Sequence, residues 1–201
     1  GVGRREVVGD HDQFVVAGSF SYSRPGFTGA GAAYAFRRIS GDPNRTLTIA
    51  PPTPQDNANF GNRMASDGVR IVVGALAEDG AAGADQGAAY VYKVQDESFV
   101  LEQKLLPSDP AAGVNFGAAL TIDGNTIIVG APKDSQLGSG AGAAYVFTFN
   151  GLSWSQQAKL NAPDGAAGDN FGSSVAVSGD RALIGAPNDD LVGTGFNYSS
   201  V

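Results

Sequence analysis

The phrase Asn170-Phe171-Gly172, with the Gly185-Ala186-Pro187 that follows it, constrains this chain more than any other feature, because the chain repeats it. The same frame runs from Asn115-Phe116-Gly117 to Gly130-Ala131-Pro132 and from Asn59-Phe60-Gly61 to Gly74-Ala75-Leu76. The phenylalanines Phe60, Phe116 and Phe171 therefore stand 56 and 55 residues apart. A worn first copy keeps Gly18-Ser19-Phe20, 56 residues ahead of Gly74. Self-similarity at a fixed period of this length points to a propeller or a solenoid, whose units bury their apolar faces against their neighbours.

Four strand patterns recur in each unit. In the third unit, 118–122 forms the first strand, Asp123-Gly124 supplies residue types that accept positive φ in a two-residue hairpin turn, and 126–129 returns as the second. A polar loop over 133–141 leads to the third strand, Gly142-Ala143-Ala144-Tyr145-Val146-Phe147. Asn150-Gly151 turns the chain again, and 153–160 alternates like an outer strand with one wet face. The second unit repeats this with Asp67-Gly68, 71–73, 87–92 and 99–105, and the first with 6–8, 14–17, 31–36 and 46–49. The fourth has two strands and runs out around Gly195-Phe196-Asn197-Tyr198, where its third would sit.

No unit carries apolar residues at helical spacing over three turns, which argues against a parallel βαβ fold. Abundant glycine (29) and sparse charge (16%) suit short strands joined by tight turns. The expectation is an all-β fold: a single β-propeller domain of four-stranded antiparallel blades, about 3.5 to 4 units long, with units near 1–58, 59–114, 115–169 and 170–201. Small residues in each third strand let adjacent sheets approach closely. Phe171, Val175, Leu183, Tyr145 and Val146 are expected to fill the space between blades, and each phenylalanine buried there stabilises the fold by about 1.5–3 kcal/mol.

Charge narrows the function. A formal net charge of −7 with no cluster of Lys and Arg argues against a phosphate-binding, nucleic-acid partner. Zero cysteines removes disulfides, thiolate metal sites and cysteine nucleophiles. No apolar run is long enough to span a bilayer, and no basic start precedes an apolar signal core.

At Phe60-Gly61, Phe116-Gly117 and Phe171-Gly172, and at Gly130-Ala131-Pro132 and Gly185-Ala186-Pro187, the chain resembles the FG-GAP repeats that build the N-terminal β-propeller of integrin α subunits and many bacterial surface proteins. Gly74-Ala75-Leu76 and Gly18-Ser19-Phe20 depart from the pattern. The resemblance implies a secreted or cell-surface protein whose signal lies outside this chain. It also implies a ligand-binding face made by the loops between second and third strands and between units, with Asp79, Asp85, Asp109, Asp134, Asp164, Asp189 and Asp190 as its candidates.

Integrin-type repeats often hold calcium in an aspartate-rich loop between the first two strands. Here that loop has shrunk to turns such as Asp123-Gly124 and Gly179-Asp180, too poor in oxygen for the six to eight ligands that calcium takes. Asp10 and Asp12, flanking His11, come nearest, and Asp164 and Asp169 are further weak metal candidates on the acidic rim. The same residues also read as plain turns. The repeated phrases Asp79-Gly80-Ala81-Ala82-Gly83, Asp109-Pro110-Ala111-Ala112-Gly113 and Asp164-Gly165-Ala166-Ala167-Gly168, and the Asn59, Asn115 and Asn170 before each Phe, have turn chemistry.

Catalysis has little to work with: His11 is the single histidine, and Asp189-Asp190 are adjacent on a loop, without the fixed separation of a glycosidase pair. Trp154 and Tyr92 are aromatic enough to stack on a sugar, but an outer-strand tryptophan also fits packing. The expected role is a non-enzymatic, extracellular interaction, adhesion or self-assembly module, with no catalytic residue and no cofactor apart from possible calcium. Its alternatives are a lectin that takes a glycan on the same loops and an accessory propeller of a larger surface enzyme. An incomplete fourth unit further implies an arc completed by another chain or by sequence beyond this one, against the rival of a compact four-bladed ring.

Overall fold

Short β-branched runs separated by glycine turns favour pairing with their sequence neighbours, and the strands of every sheet pair in that order. The structure, a computed structural model, describes residues 5–7, 14–37, 46–95, 98–190 and 196–200. The first sheet comprises β1 (Arg5–Val7), β2 (Phe14–Ser19), β3 (Ala32–Arg37) and β4 (Thr46–Ile49). The second holds β5 (Phe60–Ser66), β6 (Arg70–Ala75), β7 (Ala88–Gln95) and β8 (Ser98–Leu105). The third holds β9 (Ala119–Asp123), β10 (Thr126–Ala131), β11 (Ala143–Phe149) and β12 (Trp154–Leu160), and the fourth β13 (Ser174–Ser178), β14 (Arg181–Gly185) and β15 (Phe196–Ser200). Each is an antiparallel meander in sequence order, and no helix occurs among the described residues. The third strand of the fourth unit does form, pairing along the whole of β14.

Turn chemistry sets the registers. Asn150 Oδ1 accepts from the N–H groups of Leu152 and Ser153 at 2.9 Å each, and Gly151 has φ 97°, so the β11–β12 connection occupies 150–153. Asp123 pairs with Thr126, which places Gly124-Asn125 at the β9–β10 turn, one residue beyond the expected Asp123-Gly124. In both complete outer pairs, β7–β8 and β11–β12, the register slips at the same place, after Val91 and Val146. The bulge in β8 leaves Glu102 unpaired in the ladder and re-aims its side chain toward the third sheet.

Packing joins consecutive sheets, running from β2 to β5, β5 to β9 and β9 to β13; no substantial packing among the described residues joins the first sheet to the fourth. Each interface presses the second and third strands of one sheet against the phenylalanine of the next. Val72, Val91 and Leu105 meet Phe116, Val129 and Tyr145; Ile128 and Val146 meet Phe171 and Ile184. Phe60, Phe116 and Phe171 are 0%, 0% and 2% exposed, as their recurrence predicts. Phe60 and Phe116 stand edge-on to Tyr90 and Tyr145, with ring centroids 5.5 and 5.4 Å apart, a favourable aromatic geometry.

The close approach rests on glycines. A β-carbon on Gly74 would lie 2.3 Å from the carbonyl oxygen of Gly117, and one on Gly130 would lie 2.0 Å from that of Gly172. On the third-strand side, β-carbons on Gly87 and Gly142 would each lie 2.1 Å from the carbonyl oxygens of Phe116 and Phe171. The Phe-Gly backbone is thus seated in a slot between two glycines of the preceding sheet, where Phe116 and Phe171 donate N–H bonds of 3.1 and 2.9 Å to Gln86 and Ala141. The chain enters the slot through Asn59, Asn115 and Asn170, at φ 56°, 54° and 56°, a left-handed conformation that asparagine tolerates.

Polar groups cross the same interfaces in pairs. The Gln103 amide accepts from the Trp154 N–H and donates to its carbonyl, both at 2.8 Å. Arg70 pairs with Glu102 at 2.7 Å while its guanidinium lies 4.2 Å over the Phe149 ring, and Trp154 Nε1 donates to Glu102 at 2.9 Å. Burial alone would raise the Glu102 carboxyl, but the bonds from Arg70 and Trp154 outweigh it and hold the group below the usual carboxylate range. A depressed carboxyl contributes stability above its unfolded pKa that is lost as pH falls through the folded one.

Phe116→Ala is expected to cost about 3–5 kcal/mol in urea unfolding, and Phe60→Ala and Phe171→Ala a similar amount. Unchanged midpoints for all three would contradict the packing described.

Candidate functional site: the loop face and its carboxylate locks

The loops between second and third strands and those between sheets share one face and are laced together. Asn57 donates to Thr28 at 2.7 Å, Gly113 to Ala84 at 2.8 Å and Gly168 to Ser139 at 3.0 Å, all through backbone groups. Gln55 repeats the amide clasp on Asp79, accepting at 2.9 Å and donating at 3.1 Å, and Gln156 clasps Ser108 at 2.8 and 2.9 Å. These bonds join each loop to its neighbour into a continuous platform.

Beneath that platform, the second and third units bury a carboxylate at an equivalent position. Glu78 and Asp134 stand four residues after Gly74 and Gly130, with side chains 3% and 6% exposed. Tyr90 Oη donates to Glu78 at 2.7 Å, and Lys104 Nζ pairs with its other oxygen. Tyr145 Oη donates to Asp134 at 3.0 Å; Lys159 Nζ reaches Asp134 at 2.9 Å and Asp109, from the preceding loop, at 2.6 Å. The β-ladder places each lysine opposite its tyrosine, Lys104 to Tyr90 and Lys159 to Tyr145. A buried charge persists only when paired and hydrogen-bonded in this way.

The lock fixes protonation as well as geometry. Burial, reinforced by the neighbouring carboxylates, pushes the Tyr90 and Tyr145 phenols far up, so they remain donors. Burial would lower Lys159, but its bonds to Asp109 and Asp134 outweigh that and raise it. Its contribution is fully present below the unfolded lysine pKa and is lost only as pH rises through the folded one.

The first unit departs from this plan. Tyr22 stands where the others have Glu78 and Asp134, Tyr34 keeps the tyrosine, and Thr48, opposite Tyr34 in the ladder, replaces the lysine. The two tyrosine rings meet edge-on at 6.3 Å. Beside them opens a cavity of about 470 Å³ that also takes in Arg24, Phe27 and Pro54.

Several expectations are corrected here. Asp134 and Asp169, 4% and 5% exposed, are buried structural carboxylates rather than a binding rim or a metal site; Asp169 accepts the Ala166 N–H at 2.6 Å. Asp109 is engaged by Lys159, and Asp79 accepts the Asp85 N–H at 3.0 Å while Asp85 itself takes φ 52° in a turn. Asp164 and Asp190 lie exposed, and Asp189 is half-buried. Trp154 and Tyr92, offered as sugar platforms, are 3% and 4% exposed; Tyr92 Oη donates to the Ala50 carbonyl at 2.9 Å. Asp10, His11 and Asp12 lie outside the described residues. Sequence reasoning missed Glu78, Lys104 and Lys159; the signal for Glu78 was the acidic residue that recurs, with Asp134, at one offset from the second-strand glycine.

The turns between first and second strands do not fit calcium. Asp67 Oδ1 already accepts from Val69 and Arg70, at 2.9 and 2.7 Å, and Asp123 Oδ2 from Gly179 at 2.7 Å. Among the described residues, no group of three or more His, Cys, Asp or Glu is placed to hold a metal ion.

Three consecutive segments, 47–92, 99–147 and 154–198, match the model of the FG-GAP repeat. The chain belongs to the FG-GAP repeat family. No curated protein matches the sequence. Each FG-GAP segment begins on the fourth strand of one sheet and continues through third-strand residues of the next, so the family's sequence unit crosses an interface and contains its Phe-Gly. No helix among the described residues is long and apolar enough to cross a membrane.

Asp134→Ala should cost about 1–3 kcal/mol in urea unfolding, because it leaves the buried Tyr145 hydroxyl unpaired and Lys159 with Asp109 alone, whereas exposed Asp190→Ala should stay within about 0.5 kcal/mol. Equal effects would contradict the lock. EDTA should leave the thermal melt unmoved, and a drop of many degrees would reveal a metal that the turns do not predict.

Proposed function

We propose that this chain is a non-enzymatic, extracellular or cell-surface interaction module that self-associates through its end sheets toward a propeller. One internal comparison carries the reading. Val16, Val72 and Ile128 hold equivalent second-strand positions and are 1%, 0% and 0% exposed, while Leu183, at the same position in the fourth sheet, is 42% exposed. Leu183 was expected to fill an interface, and among the described residues no sheet lies over it. At the opposite end, Phe36 is 38% exposed where its counterparts Tyr92 and Phe147 are 4% and 3%.

The two bare faces are of complementary kinds. The fourth sheet offers the face that elsewhere receives a phenylalanine-bearing sheet, and the first offers the face that elsewhere is received. A contact between unlike faces is head-to-tail, closing a ring or extending a filament according to the angle it imposes. The FG-GAP repeats of integrin α subunits and bacterial surface proteins support the extracellular setting. The consumption of Glu78, Glu102 and Asp134 by structural partners supports a non-enzymatic role.

Light scattering across a dilution series tests the association. The expected weight-average mass rises above 20.4 kDa with concentration, and Leu183→Glu returns it to the monomer. A cooperative, soluble monomer at every concentration would sink the reading.

A further inference from the structure

We propose that the open cavity of the first unit is a binding site for a carboxylate-bearing sugar, a hexuronate ring held by Arg24 and Tyr34 and packed against Tyr22 and Phe27. The starting point is the comparison among units. In the second and third, this spot is filled by the chain's own carboxylate, which takes a tyrosine hydroxyl and a cation. The first unit keeps the tyrosine, Tyr34, and brings a cation, Arg24, from its loop, yet the carboxylate is gone. Among the described residues, neither the Arg24 side chain nor the Tyr34 hydroxyl has a hydrogen-bonding or ion-pair partner. Donors of the kind that bind a carboxylate are thus present without their acceptor, in a chain whose net charge is −7.

The donors are held ready. Arg24 and Phe27 bracket a tight turn closed from both sides, Arg24 N to Phe27 O at 2.8 Å and Phe27 N to Arg24 O at 2.9 Å, with Gly26 at φ 85°. A guanidinium fixed at its backbone presents a planar fork that matches a carboxylate bidentately. Burial and the neighbouring Tyr22 raise the Tyr34 phenol above its ordinary value, against the pull of Arg24, so it stays a protonated donor.

Size and lining select the body that carries the carboxylate. About 470 Å³ falls within the range of small-molecule pockets. Tyr22 and Phe27 are 43% and 37% exposed, and with Pro25 and Pro54 they offer flat apolar faces to a ring, while Thr48 adds a hydroxyl for a sugar's own. An aspartate or glutamate side chain would cover those faces with only one or two methylenes. The inference stands apart from self-association, since it concerns a single unit.

Titration calorimetry on the full chain carrying Leu183→Glu, to hold it monomeric, provides the test, with D-galacturonic and D-glucuronic acid, D-galactose, D-glucose and an end-blocked Gly-Asp-Gly peptide as probes. The expected result is saturable binding of at least one uronic acid, at least about tenfold tighter than its neutral parent or the peptide, a difference of about 1.4 kcal/mol. Arg24→Ala should weaken it about tenfold or more. Tyr22→Glu with Thr48→Lys, which installs the lock of the second unit, should abolish binding without lowering the melting temperature. Binding of neither uronic acid, equal binding of acid and neutral sugar, preference for the peptide, or full binding by the Arg24→Ala variant would each overturn the proposal.

Discussion

Everything in this fold depends on how closely the backbone of one unit can approach the sheet before it. The Phe-Gly segment lies between a second-strand and a third-strand glycine, at separations that leave no room for a β-carbon. That approach brings Phe116 fully out of water against Tyr145 and aligns its N–H with the Gln86 carbonyl. Close packing of this kind gains dispersion from many small contacts and tolerates added volume poorly. The recurring residues are therefore one device: asparagine to enter the slot, glycine to line it and phenylalanine to fill the space behind it.

Once the sheets are that close, polar groups at their edges must be satisfied by the neighbouring sheet. Gln103, Gln55 and Gln156 each clasp the adjoining sheet or loop as a backbone segment would. Glu102, re-aimed by a bulge, joins Arg70 to Trp154 across the second interface. The carboxylate locks do the same on the loop face. Where a unit lacks the lock, as at Tyr22 and Thr48, the same scaffold holds a cavity instead. Rigidity and a site are thus alternative outcomes of one position in the repeat.

Much of this was legible in the residues. The period located the sheets, Asp-Gly and Asn-Gly located the hairpins to within a residue, and the repeated phenylalanines became buried centres. The uncovered face of the fourth sheet was not legible, because an interface is visible in sequence only where both of its faces are present. Leu183 reads as core by analogy with Ile128, yet burial depends on a sheet lying over it. Asp134 reads as a loop aspartate because its partners, Tyr145 and Lys159, are 11 and 25 residues away on different strands. Local polarity cannot reveal a partner supplied by the ladder. The same limit made Trp154 and Tyr92 resemble platforms, whereas the exposed rings lie in the least regular unit.

The slot is tested most directly by comparing Gly130→Ala with Gly185→Ala in urea unfolding. The two glycines hold equivalent second-strand positions, and neither lies in the left-handed region, so alanine brings no backbone strain at either. At Gly130 the new methyl would meet the Gly172 carbonyl oxygen at 2.0 Å, while at Gly185 it would meet only the rotatable Ser174 hydroxyl, at 2.3 Å. The account predicts a loss of about 1–3 kcal/mol or more for Gly130→Ala and within about 0.5 kcal/mol for Gly185→Ala. Equal losses would contradict it.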